Sequence, residues 1–152
     1  MVYISYVFTE FGIIEIRATS RKILSVLFVD EVLQNVSENE LTKKCAKQIE
    51  EYFSCKRREF EIPIEISGTE FEKKVLTEVL NIPYGTVTSY KTIAQKIGNE
   101  NAFRAVGNII GKNILLLLIP CHRVIGSNGK MRGYITVTEK KQAILDFEKE
   151  NI

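Results

Sequence analysis

The chain reads as an α+β protein: an antiparallel sheet with one helix, followed by a mainly helical half. Three observations predict this. Residues 2–33 alternate apolar and polar residues in three bursts, "VYISYVF", "GIIEIRAT" and "ILSVLFVD", separated by the short turns "TEFG" and "SRK", the pattern of an antiparallel meander. Helical spacing of apolar residues then recurs through most of the remaining sequence. Turn signals near Ser67–Gly68 mark a change of pattern, dividing an N-terminal α/β domain, 1–66, from a C-terminal domain, 67–152.

After the meander, "SENELTKKCAKQIEEYFSCKRR" predicts one helix, with Ser37 and Glu40 as its capping box. Leu41, Cys45, Ile49 and Phe53 supply its apolar face. Cys45 and Cys55 would then lie about 15 Å apart on one helix, beyond disulfide reach of about 7 Å. "EFEIPIEISG" is extended. Thr69 caps the next helix, "EFEKKVLTEVLNI", whose apolar face is Phe71, Val75, Val79 and Leu80 and which "PYG" stops.

"TSYKTIAQKIG" and "NAFRAVGNIIGKN" are two short helices joined through "GNEN", a helix-turn-helix pattern. "ILLLLIP" is short and uniformly apolar, a buried strand or core segment. "IGSNGKMRGY" is turn-rich, with Asn128–Gly129 at the tip of a small hairpin or wing. "TEKKQAILDFEKEN" closes the chain as a helix with Ala143, Ile144 and Phe147 facing inward.

Composition narrows the function classes. Hydrophobic residues make up 45% and charged residues 26%, ordinary for a globular protein. The longest apolar run falls far short of the roughly 20 residues that span a bilayer. The N-terminus lacks the pattern of a secretion signal, so a cytoplasmic protein without membrane attachment is expected. Net charge is only +2, yet Thr86–Arg132 carries seven Lys or Arg against the single acid Glu100. That local excess suits a phosphate backbone. The three cysteines fit no zinc spacing.

Chemistry concentrates in "IPCHRVIG", where Cys121 precedes His122, the only histidine of the chain. A free thiol is only a few per cent ionised at neutral pH, so a nucleophilic cysteine needs a base. Adjacent side chains diverge, and a bridging water solves the geometry. The imidazole then needs a carboxylate to orient it.

"IPCHRVIG" resembles the active-site signature of the O6-alkylguanine-DNA alkyltransferases. The likeness extends in order through Phe71–Leu80, "PYGTVTSY", "RAVGNIIGKN", the loop to Gly133–Tyr134 and the final helix to Glu148, about 80 residues in all. The resemblance implies a nucleophile at Cys121, with His122 acting on it through water, Glu148 pairing with the imidazole, and Tyr90 hydrogen-bonding the departing guanine. It implies that Arg104 fills the gap left by a flipped nucleotide, with Thr88, Ser89, Ala102, Ala105, Gly107 and Lys112 at the DNA. Asn113 is the implied hinge, and Val124, Tyr134 and Ile135 border the base pocket.

The activity so implied is stoichiometric transfer of an alkyl group from O6-alkylguanine, and O4-alkylthymine, to cysteine. Double-stranded DNA is the partner, no cofactor is needed and the protein is a monomer. No metal is expected, although some relatives bind zinc in their N-terminal part. Two departures stand out. Ile135, Thr136 and Val137 replace the family's Ser/Ala-Gly-Gly stretch, and Ile114 replaces the proline after the hinge asparagine. Two competing readings are a module that binds alkylated DNA without repair and a cysteine hydrolase. Cys121 argues against the first, the helix-turn-helix against the second.

Overall fold

The computed structural model describes residues 1–131 and 135–152. The chain divides into two compact units, one formed by Met1–Glu65 with Ile114–Leu116, the other by Ile66–Asn113 with Leu117–Ile152. No helix among the described residues is long and apolar enough to cross a membrane.

The first unit is built on the predicted meander. Strands β1 (Tyr3–Thr9), β2 (Gly12–Ala18) and β3 (Ile23–Val29) pair in that order, antiparallel throughout. Alternation places Ile14, Ile16 and Ala18 of β2 with Ile23 and Val26 of β3 in the core. Helix α1 (Glu40–Phe53) covers them with Cys45, Ile49 and Tyr52. The outer edge of β3 is occupied by two short parallel bridges, at Ile64 and at Leu115. The Leu115 bridge is closed by Val26 N–H donating to Ile114 O (2.8 Å) and Leu116 N–H donating to Val26 O (3.1 Å).

Two local expectations need correction here. The cap of α1 is Asn39, not Ser37: Asn39 Oδ1 accepts from Thr42 N–H (2.8 Å), and Thr42 Oγ1 accepts from Asn39 N–H (3.0 Å). Ser37 is held back because its carbonyl accepts from Ile4 N–H of β1 (2.8 Å). The helix also ends at Phe53, so Cys55 lies beyond it, exposed and with φ +61. Cys45 alone is helical, and burial pushes its thiol up to about 12, which leaves it a small hydrophobe.

The second unit is helical. Helix α2 (Glu70–Leu80) starts at the predicted Thr69–Glu72 capping box and buries Val75 and Val79, while Leu80 faces outward. Helix α3 (Tyr90–Lys96) is capped by Ser89, whose Oγ accepts from Thr92 N–H (3.0 Å). The chain turns at Gly98 (φ +85) and enters α4 (Phe103–Gly111) through a short 3-10 turn. Glycine suits that turn because φ is positive there. Helix α4 packs on α2 and α3 through Val106, Gly107 and Ile110.

"ILLLLIP" is core but hardly strand. Leu115 to Pro120 are all buried, yet only Leu115 forms a bridge, and Leu117 sits at φ +70. The segment leads into a 3-10 turn, Cys121–Arg123, and a two-residue strand. That strand, β5 (Val124–Ile125), pairs in parallel with β4 (Thr88–Ser89). The loop after it, expected as a hairpin or wing, closes at Gly126–Lys130 as a tight turn, Gly126 N–H donating to Lys130 O (2.6 Å). Helix α5 (Ile135–Glu150) ends the fold, burying Ile144, Leu145 and Glu148.

Candidate active site

The site is assembled within the second unit, at the turn carrying Cys121, His122 and Arg123 and against α5. Pro120, at φ −76 and ψ 63, forms an inverse γ-turn, closed by Cys121 N–H donating to Ile119 O (2.7 Å). The same carbonyl accepts from Asn113 Nδ2 (3.1 Å), so the predicted hinge asparagine ties directly to the segment before the cysteine. Cys121 is 1% exposed.

His122 Nε2 meets Glu148 Oε2 at 2.7 Å, with both side chains buried. Sequence spacing of 26 residues hides this pair, which α5 brings together. Burial pulls the imidazole's pKa below its ordinary value, and the positive charges of Arg123 and Lys141 act in the same direction, against the pull of Glu148. Burial and the neighbouring cations thus favour the neutral ring, hydrogen-bonded to a carboxylate. The carboxylate only accepts, so Nε2 carries the ring hydrogen and Nδ1 keeps its lone pair.

Arg123 completes the cluster. Its Nε donates to Glu148 Oε1 (2.8 Å) and its Nη2 to Oε2 (2.7 Å). Nη1 donates to Ile82 O (2.7 Å), and the guanidinium carbon lies 5.6 Å from the centre of the Tyr84 ring. Gly85 N–H adds a long contact to Glu148 Oε1 (3.4 Å). Gly85 has φ +77, and a Cβ there would meet Ile152 Cγ1 at 2.9 Å. Arg123 belongs to the basic stretch Thr86–Arg132, but it is buried and engaged on Glu148 and so adds no free cation for DNA. Its signal was present only in the motif next to the histidine, not in its charge.

The other candidate residues separate into groups. Tyr90 is buried at the first position of α3 and lines a cavity of about 490 Å³ with Phe103, Ser127, Asn128, Lys130 and Met131. Val124 is fully buried in β5. Arg104, Ala105 and Lys112 are exposed on α4 and its end, and Ala102 is half-buried. Gly107 faces inward, where it lets α4 pack closely on its neighbours. Thr88 and Ser89 are half-buried, engaged in the β4–β5 pairing and the α3 cap. Tyr134 lies outside the described residues, and Ile135 opens α5. Phe103, not singled out from sequence, is 40% exposed beside Arg104, whose guanidinium carbon lies 5.8 Å from its ring centre. Among the described residues no group of His, Cys, Asp and Glu could hold a metal ion.

Comparison with known proteins places this site in a family. Residues 70–150 match the DNA-binding domain of 6-O-methylguanine DNA methyltransferase, and residues 1–66 match its ribonuclease-like domain. A methylated-DNA–protein-cysteine methyltransferase of Methanosarcina barkeri is 39% identical over 117 residues, covering 77% of this chain and 74% of its own. A probable enzyme of the same name from Acanthamoeba polyphaga mimivirus is 39% identical over 147 residues, 94% of each chain. The crystal structure of Mycobacterium tuberculosis OGT in complex with DNA superposes with a TM-score of 0.87 at 29% identity, covering 98% of this chain and 94% of that one. With a buried cysteine, its histidine and glutamate, and both domains matched, the chain belongs to the 6-O-methylguanine DNA methyltransferase family, the methylated-DNA–protein-cysteine methyltransferases.

Proposed function

We propose that this chain repairs DNA by moving the alkyl group of O6-alkylguanine onto Sγ of Cys121, once per molecule. O4-alkylthymine, with the same alkoxy linkage, is the second substrate. The observation that carries the reading is the buried 2.7 Å contact of His122 Nε2 with Glu148 Oε2, next in sequence to the buried Cys121, which leaves the other ring nitrogen to accept a proton.

In the step itself, Sγ attacks the saturated alkyl carbon in line as the bond from that carbon to O6 breaks. The thiol proton passes to His122 Nδ1 through water. The departing guanine gains one proton, with Tyr90 as donor at the cavity wall. The proton held on His122 then restores the Tyr90 phenol through solvent, so the net proton movement is from thiol to guanine. A thioether remains, and among the described residues no second group at the site can hydrolyse it, so the protein is consumed as a monomeric reagent without a cofactor.

The lesion must leave the duplex to reach a thiol this deeply buried, which costs a few kcal/mol. Arg104, which is exposed on α4, would occupy the vacated space, and the exposed Lys112 would add phosphate attraction. Incubation with duplex DNA carrying O6-methylguanine tests the reading. The peptide containing Cys121 is expected to gain the mass of one CH2 group, saturating at one per chain. Steady product release without labelled protein would indicate hydrolysis, and tight binding without label a recognition module.

Arg104→Ala should slow transfer from duplex DNA by about tenfold or more, because part of the extraction cost is then uncompensated. Transfer from free O6-benzylguanine should be nearly unchanged. Equal losses on the two substrates would remove Arg104 from the extraction step.

A further inference from the structure

The acid–base assignment gives the buried Arg123 no role. Arg123 is 6% exposed, and burying a guanidinium is costly unless every donor is satisfied. Here the fork spans both oxygens of Glu148, the third donor reaches Ile82 O, and Tyr84 lies against the plane. Arginine geometry suits this arrangement in a way lysine does not.

The consequence is electrostatic. Glu148 has one negative charge, and Arg123 neutralises it at 2.7–2.8 Å through two bonds. The carboxylate can then orient the imidazole without drawing a second proton onto it. The charged and titratable groups facing His122 are Glu148 and Lys141 from α5, and Cys121 and Arg123 from its own turn. Lys141 is itself 2% exposed, so the positive side of this cluster is enclosed with the ring.

We propose that Arg123 is a positioning residue for the transfer step: by engaging both oxygens of Glu148 it limits the pull of that carboxylate on the His122 ring, and so keeps the cysteine and histidine competent below neutral pH. The inference rests on the transfer function proposed above. Without Arg123, the full charge of Glu148 would fall on His122, which would hold a proton from solvent before the thiol could give it one. The active ensemble would then be lost at a higher pH.

The experiment uses the full chain and free O6-benzylguanine, which avoids DNA binding. Single-turnover rates across pH are measured for the native protein and for Arg123→Gln, each normalised to its own alkaline plateau. The midpoint of the acid limb is expected to move upward by about one pH unit or more in the variant, since one unit corresponds to a modest change in one buried interaction. An unchanged midpoint overturns the proposal.

A second measurement needs no variant and no activity. His122 is the only histidine, so its ring proton resonance is unambiguous in the native protein. It is expected to show the neutral ring down to well below the ordinary value of about 6.5. Titration at or above that value overturns the proposal even if Arg123→Gln fails to fold. Native protein that transfers nothing at any pH would instead sink the functional reading, and the same resonance compared between the native protein and Arg123→Gln would then decide the role of Arg123, an unmoved midpoint overturning it.

Discussion

Cys121→Ser should bind methylated duplex DNA with the native affinity and accept no alkyl group. The substitution exchanges one atom at a site that is 1% exposed and sits in a turn held by backbone bonds to Ile119 and Pro120, so the fold should be retained. The reactivity should not. A hydroxyl is far harder to ionise than a thiol, and His122, kept neutral by its surroundings, is too weak a base to make up the difference. The rate should fall by on the order of a thousandfold or more. Mass spectrometry after overnight incubation checks transfer, and fluorescence anisotropy with a labelled duplex checks affinity. A serine variant that still takes up label would mean another nucleophile, and Cys55, exposed beyond α1, would be the first to examine.

Glu148→Ala should be the most destabilising single change near the site, by about 3–5 kcal/mol. Glu148 is fully buried and accepts from His122, from Arg123 twice and from Gly85. Its removal leaves Arg123 as a buried charge facing a cavity, the case in which breaking a pair costs most. For a chain of this size that corresponds to a melting temperature lower by about 6–20 °C. Calorimetry provides the measurement. Glu148→Gln should lose less stability, because an amide keeps the volume and one acceptor, though it too should slow transfer by freeing the ring of His122. Equal melting temperatures for Glu148→Ala and the native protein would show that Arg123 finds another counter-charge.

Much of this was legible in the residues, for identifiable reasons. The meander and the α2 capping box are local patterns, and local physics decided them: Thr69 and Glu72 bond each other across three residues. The adjacency of Cys121 and His122 is visible because only one histidine exists. The ends of α1 were misplaced because tertiary contacts chose them. Ser37 was taken by β1, leaving Asn39 to cap, and the chain left the helix at Cys55 with a positive φ. Leu80 and Gly107 exchanged their expected sides for the same reason, since which face of a helix is covered depends on its neighbours. Arg123 was the largest omission. In a basic stretch its charge is indistinguishable from that of Lys112, and only the approach of α5, bringing Glu148 to it, gives it a different environment.

The depth of Cys121 has a final consequence. A reagent that works once must reach its target unspent, and the cell offers peroxides and stray electrophiles in great excess over lesions. With only 1% of the residue open to solvent, these have almost no approach to the sulfur, unlike the exposed Cys55. Concealment thus serves as chemical storage, and it should give the idle protein a long working life before it ever meets damaged DNA.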